Sequence, residues 1–154
     1  MAAGQITLFE ANLDDLRLLD LTGATIKMAL IKSTATPDTT PTGDAVLADI
    51  VADEIAAGNG YIAGGATLTT KAITALANGW KFESDDVQWN ASGGNLPAWR
   101  YGLLYVSGAL WGKTSPLLGI FVGDDTPADI PATLDGNPLT IACPAGGWFA
   151  STQS

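Results

Sequence analysis

Apolar residues in this sequence never run far before a glycine or a proline stops them. Of its 154 residues, 18 are Gly and 8 are Pro, spread from end to end. Short apolar pieces cut at that spacing read as strands joined by turns, the punctuation of an all-β domain. Ile6–Phe9 is a candidate first strand and Thr25–Ile31 a longer one. Lys32–Gly43, with Pro37 and Pro41 in a Thr/Asp-rich run, reads as an exposed loop, mobile or interface-forming. Asn59-Gly60 and Asn78-Gly79 are turn signals, because both residue types tolerate positive φ. Between them Ala66–Ala75 alternates as a strand. Trp80–Glu83 and Asp86–Trp89 follow as two more.

Arg100–Val106 is apolar on both faces, with Tyr101, Leu103 and Tyr105 on one and Leu104 and Val106 on the other. That places it at the centre of a sheet, with Gly102 making room for a neighbour. Leu117–Val122, Leu139–Cys143 and Trp148–Ala150 bring the total to about eight or nine strands, as in a β-sandwich or jelly-roll. Only Asp44–Ile55 has helical spacing. Val46, Leu47, Ile50 and Val51 share a face, Asp44 is placed to cap and Gly58 to stop. It predicts one short helix, with a single helical turn followed by an extended stretch as the competing reading. Leu13–Leu21 fits a helix or a β-connection. The whole is one β-sandwich domain over 1–154, in which 1–24 and 136–154 are candidates for extended terminal segments.

Lys and Arg number 7 against 16 Asp and Glu, a formal charge of -9. Nucleic acid, which needs a basic surface, is not an expected partner. Nor is a membrane: no apolar run approaches the roughly 20 residues of a spanning helix. The opening MAAGQITLFEANLDD lacks the basic start of a signal peptide. The expectation is a protein made and kept in the cytoplasm, or assembled there into something larger. Between Val87 and Gly123 there is no acid, only Arg100 and Lys113. Such a stretch is either the core sheet or a surface covered by another subunit.

Histidine is absent, which removes Ser-His-Asp and Cys-His arrangements. Cys143 has no partner for an internal disulfide and reads as a small core residue. The acidic pairs Asp14-Asp15, Asp53-Glu54, Asp85-Asp86 and Asp124-Asp125 read as solvated turns, because neighbours on a strand point to opposite faces. Calcium on Asp124, Asp125 and Asp129 stays open. Gly58–Gly65 lacks the ending of a phosphate loop and reads as tight turns. No catalytic residue, metal site or cofactor is therefore assigned. Trp is frequent: of five, Trp80 and Trp89 fit a core between sheets. Trp99 and Trp111 flank loops and, with Arg100 and Trp148, are the candidate partner interface.

Three runs carry a resemblance: EIAAGNGYIAGGATLT (Glu54–Thr69), DDVQWNASGG (Asp85–Gly94) and WRYGLLYVSG (Trp99–Gly108). With Ile26–Asp38 and Ser115–Asp124, they resemble a family of small structural proteins of tailed-phage virions. The resemblance spans Thr25 to Asp124. It implies a particle component with no catalytic residues, foremost a capsid decoration (cement) protein. Such a protein would be a homo-oligomer seated on the major capsid protein, on the capsid exterior, after assembly in the host cytoplasm. A tail, neck or fibre component is the alternative within the virion. Outside it stand a carbohydrate-binding module using Trp side chains and, last, an acid/base hydrolase.

Overall fold

A computed structural model describes residues 1, 3–124, 126 and 128–153. The fold is all-β with one short helix. In chain order the described elements are β1 (Thr7–Leu8), α1 (Leu18–Gly23), β2 (Ile26–Ile31), β3 (Ala66–Thr67), β4 (Ala72–Leu76), β5 (Gly79–Glu83) and β6 (Val87–Asn90). These are followed by β7 (Tyr101–Val106), β8 (Ala109–Leu110), β9 (Lys113–Thr114), β10 (Leu117–Val122), β11 (Pro138–Ile141) and β12 (Phe149–Thr152). A five-stranded antiparallel sheet runs β1-β10-β7-β2-β3. A three-stranded sheet runs β12-β5-β4, and β11-β6 and β8-β9 form two-stranded ribbons.

The central place expected for Arg100–Val106 is where β7 lies, between β10 and β2. Its alternation sorts two cores. Leu104 and Val106 join Ile26, Met28 and Leu30 of β2 against Phe82, Trp89, Leu139, Ile141 and Phe149 of the smaller sheets. Leu103 and Tyr105 join Ala29 and Ile31 on the opposite face, beneath Phe9, Ala35 and Ile50. Each such aliphatic side chain contributes roughly 1.5–3 kcal/mol by leaving water. Gly102 makes the room expected of it: a Cβ built there would lie 2.2 Å from Cζ of Phe121, whose ring crosses over its register partner. The stretch without acids is largely this buried sheet.

Several expectations are corrected. Asp44–Ile55 is not a helix but two 3-10 turns, Leu47–Asp49 and Val51–Asp53. Oδ2 of Asp49 accepts the amides of Ala45 and Val46, and Ile50, at φ -128 and ψ -13, breaks the run between the turns. The helix lies instead in the Leu-rich start, at Leu18–Gly23. The strand expected over Ala66–Ala75 is split into β3 and β4, with Thr70 between them at φ 52. The loop after β2 is not wholly exposed, because Ala35 is buried under the central sheet. The terminal segments, Met1 with residues 3–24 and residues 136–153, carry contacts to the rest of the domain. Met1 O accepts the Ala142 amide at 2.7 Å, and Gln153 N donates to Asn78 O at 2.8 Å. β1 extends the central sheet, while β11 and β12 belong to the smaller ones.

Candidate docking groove

β5 turns Trp80 and Phe82 to the same side, since alternate residues on a strand share a face. Phe82 sits in the row Phe149–Phe82–Ile73, and its ring stacks on Phe149 at 6.2 Å between centroids. Trp80 sits two rows further out on the same face, in Ser151–Trp80–Ala75, past the edge of the core. It is 55% exposed.

The segment before α1, and α1 itself, form the opposite wall. Leu21 anchors the helix by full burial in the main core, which turns Leu19 outward to 75% exposure. Asp20 Oδ2 accepts the Trp111 indole N–H at 2.9 Å, and Lys71 Nζ donates to the Ala24 carbonyl. Upstream, the Asn12 side chain is buried and donates to the carbonyls of Ala45 and Leu117, both at 2.8 Å. Between these walls runs a groove of about 560 Å³ lined chiefly by Leu13, Leu16, Leu18, Leu19 and Trp80. Ala150 and Ser151 of β12 line it too, and Arg17 is the one charged lining residue. Three large apolar side chains, Leu13, Leu19 and Trp80, are thus held in water around one concavity.

The interface residues expected from the sequence lie elsewhere. Trp99 is 1% exposed, its six-membered ring against Gly123, so it offers no ring to a partner. Trp148 is buried too, its indole N–H donating to Ser84 Oγ at 2.8 Å. Trp111 is half-buried on α1 at φ 56, and Arg100 pairs with Asp129 at 2.9 Å. Trp89 is in the core as expected, whereas Trp80, expected there, is the exposed ring. A place on a strand carries no information on where a sheet outruns its core.

Members of the acidic pairs take up hydrogen bonds within the fold. Asp85 Oδ2 accepts from the Thr70 hydroxyl at 2.6 Å, and Asp86 Oδ1 from the Cys143 amide at 2.9 Å. Burial pushes the Cys143 thiol up. Of the aspartates considered for calcium, Asp125 lies outside the described residues. Asp129 is held by Arg100, and Asp124 Oδ1 accepts the Thr126 amide.

The glycine-rich motif is a fastening. Gly58 and Tyr61 exchange backbone hydrogen bonds across Asn59 and Gly60, at φ 55 and 96. Oε1 of Glu54 accepts the Tyr61 hydroxyl and the Gly64 amide, each at 2.6 Å. Tyr61 Oη in turn accepts the Leu30 amide, closing the part of β2 that β3 is too short to pair.

No helix is long and apolar enough to cross a membrane among the described residues. No protein-family model matches the chain, and no curated protein or solved structure gives a significant match.

Proposed function

We propose that the chain is a structural component of a tailed-phage particle, a decoration protein that stabilises the head by bridging major capsid subunits. One observation carries the reading: Trp80, Leu13 and Leu19 stand exposed together around a groove on an otherwise acidic domain. Contiguous apolar surface rimmed by polar residues marks a contact surface, and Trp is the residue most enriched where contacts carry energy. The resemblance of the segments between Thr25 and Asp124 to phage virion proteins supplies the kind of assembly. Repetition of one modest contact over a particle gives firm attachment through multivalency. A net charge of -9 keeps the outer faces of such particles apart.

The groove suits a protein partner better than a sugar. A glycan stacked on Trp80 would need several hydrogen-bonding side chains around the ring, and apart from Arg17 and Ser151 the lining is apolar. Sedimentation of the full chain with expanded empty heads tests the reading. Saturation at a fixed, high ratio to the major capsid protein is expected. Failure to bind heads, or binding to isolated tails alone, would overturn it.

A further inference from the structure

The groove also limits what can occupy it. Its walls are aliphatic and aromatic, and Arg17 is the only charged residue among them. Arg17 is exposed and makes no ion pair among the described residues. Two nearby acids are already engaged, Asp15 with Lys113 at 3.6 Å and Asp20 with Trp111. A guanidinium on the wall of an apolar trough favours a carboxylate, which it can receive in a two-pronged hydrogen bond. The trough also borders Ala150 and Ser151 of β12, an end strand of its sheet. An end strand has main-chain groups to offer an extended peptide.

From these placements we infer that the groove receives an extended segment of a neighbouring particle subunit. That segment lays bulky aliphatic side chains between Trp80 and Leu19 and brings an Asp or Glu to Arg17. The inference rests on the particle reading for the source of the segment, and on the groove alone for its chemistry. A second copy of this chain fits less well, since it would bring a second net charge of -9 to the contact.

Selection of a random displayed-peptide library on the full chain tests the chemistry, with binding of the selected peptides read by fluorescence anisotropy. Enrichment of aliphatic sequences bearing an acid is expected. Trp80→Ala should weaken the selected peptides at least about tenfold. Arg17→Glu should weaken them about tenfold and leave a Glu-to-Gln version of the peptide unchanged, so that the two changes are not additive. Ile62→Ala, at a still more exposed site on the glycine-rich loop, should change nothing. Unchanged far-UV circular dichroism and urea midpoints establish that the variants fold.

No enrichment, enrichment without acids, or binding indifferent to Trp80 would overturn the inference. So would concentration-dependent self-association abolished by Trp80→Ala, which would give the groove to a second copy. Head binding that survives Trp80→Ala and Arg17→Glu would refute the groove while sparing the particle reading. Loss of head binding by the unaltered chain would do the reverse.

Discussion

Asn12 is the one fully buried polar side chain among the described residues, and its amide is saturated. It donates to Ala45 O and Leu117 O and accepts from Lys113 Nζ at 2.7 Å. The register of β10 against β7 shifts between Leu117 and Gly119, and the Leu117 carbonyl beside that bulge is the one Asn12 takes up. Asn12→Leu would take the side-chain donor from the Leu117 carbonyl, while Ala45 O keeps the Leu117 amide and Lys113 keeps Asp15, so it should lower unfolding stability by about 2 kcal/mol in urea denaturation. Gly65 is constrained differently. Its φ is 80 and a Cβ would stand 1.8 Å from the Met28 carbonyl oxygen. Gly65→Ala should cost about 3 kcal/mol or more in the same measurement, while Gly93→Ala, with φ 80 but open space, should cost only about 1 kcal/mol of backbone strain. These residues differ in how much the sequence discloses. A glycine in GNGYIAGG announces a turn by its chemistry. Asn12 announces nothing, because its carbonyl partners lie 33 and 105 residues away.

The strands that the sequence places well are those whose own side chains settle their burial. β7 and β10 are apolar on both faces, as is β2 but for Lys27, and such strands are driven inside. The turn region 44–55 resisted reading because its apolar residues serve different places: Ile50 enters the core below the sheet, Ile55 the core above it, and Val51 faces water. Helical spacing alone could not register that division. The element joining the cores, the loop from Glu54 to Gly65, is held by two phenols. Burial, aided by the Glu54 carboxylate, pushes Tyr105 up to about 12 and Tyr61 higher still. Both hydroxyls act as donors, Tyr105 to Gly64 O at 2.7 Å and Tyr61 to Glu54. The folded chain thus binds these protons more tightly than the unfolded one, whose phenols titrate near 10. Their contribution is complete below about pH 10 and is lost as pH climbs through about 12. Urea midpoints should hold steady from about pH 8 to 9.5 and fall beyond about pH 10, with a shallower fall in Tyr61→Phe. A midpoint flat to about pH 11 would contradict the arrangement.

Across the whole molecule, the ends close the fold. Residues before Thr25 supply an edge strand to the central sheet, Phe9 to the core beneath it, Leu21 to the core above it and Asn12 to the bulge of β10. Residues after Asp135 supply β11 and β12, with Trp148 and Phe149. Phe9 and Leu21 alone contribute roughly 3–6 kcal/mol by burial, against a net stability of about 5–15 kcal/mol for a domain of this kind. A chain beginning at Thr25 should therefore lose its cooperative thermal transition in circular dichroism and the dispersion of its amide NMR spectrum. Retention of a two-state transition would mean that the first 24 residues dock onto a self-sufficient sandwich. The groove makes the distinction functional. One wall comes from Leu13–Leu19, the other from Trp80 in the middle of the chain, and its border from Ala150 and Ser151. The groove consequently exists only when both ends have closed on the centre, so the attachment proposed for it would require completion of the fold itself.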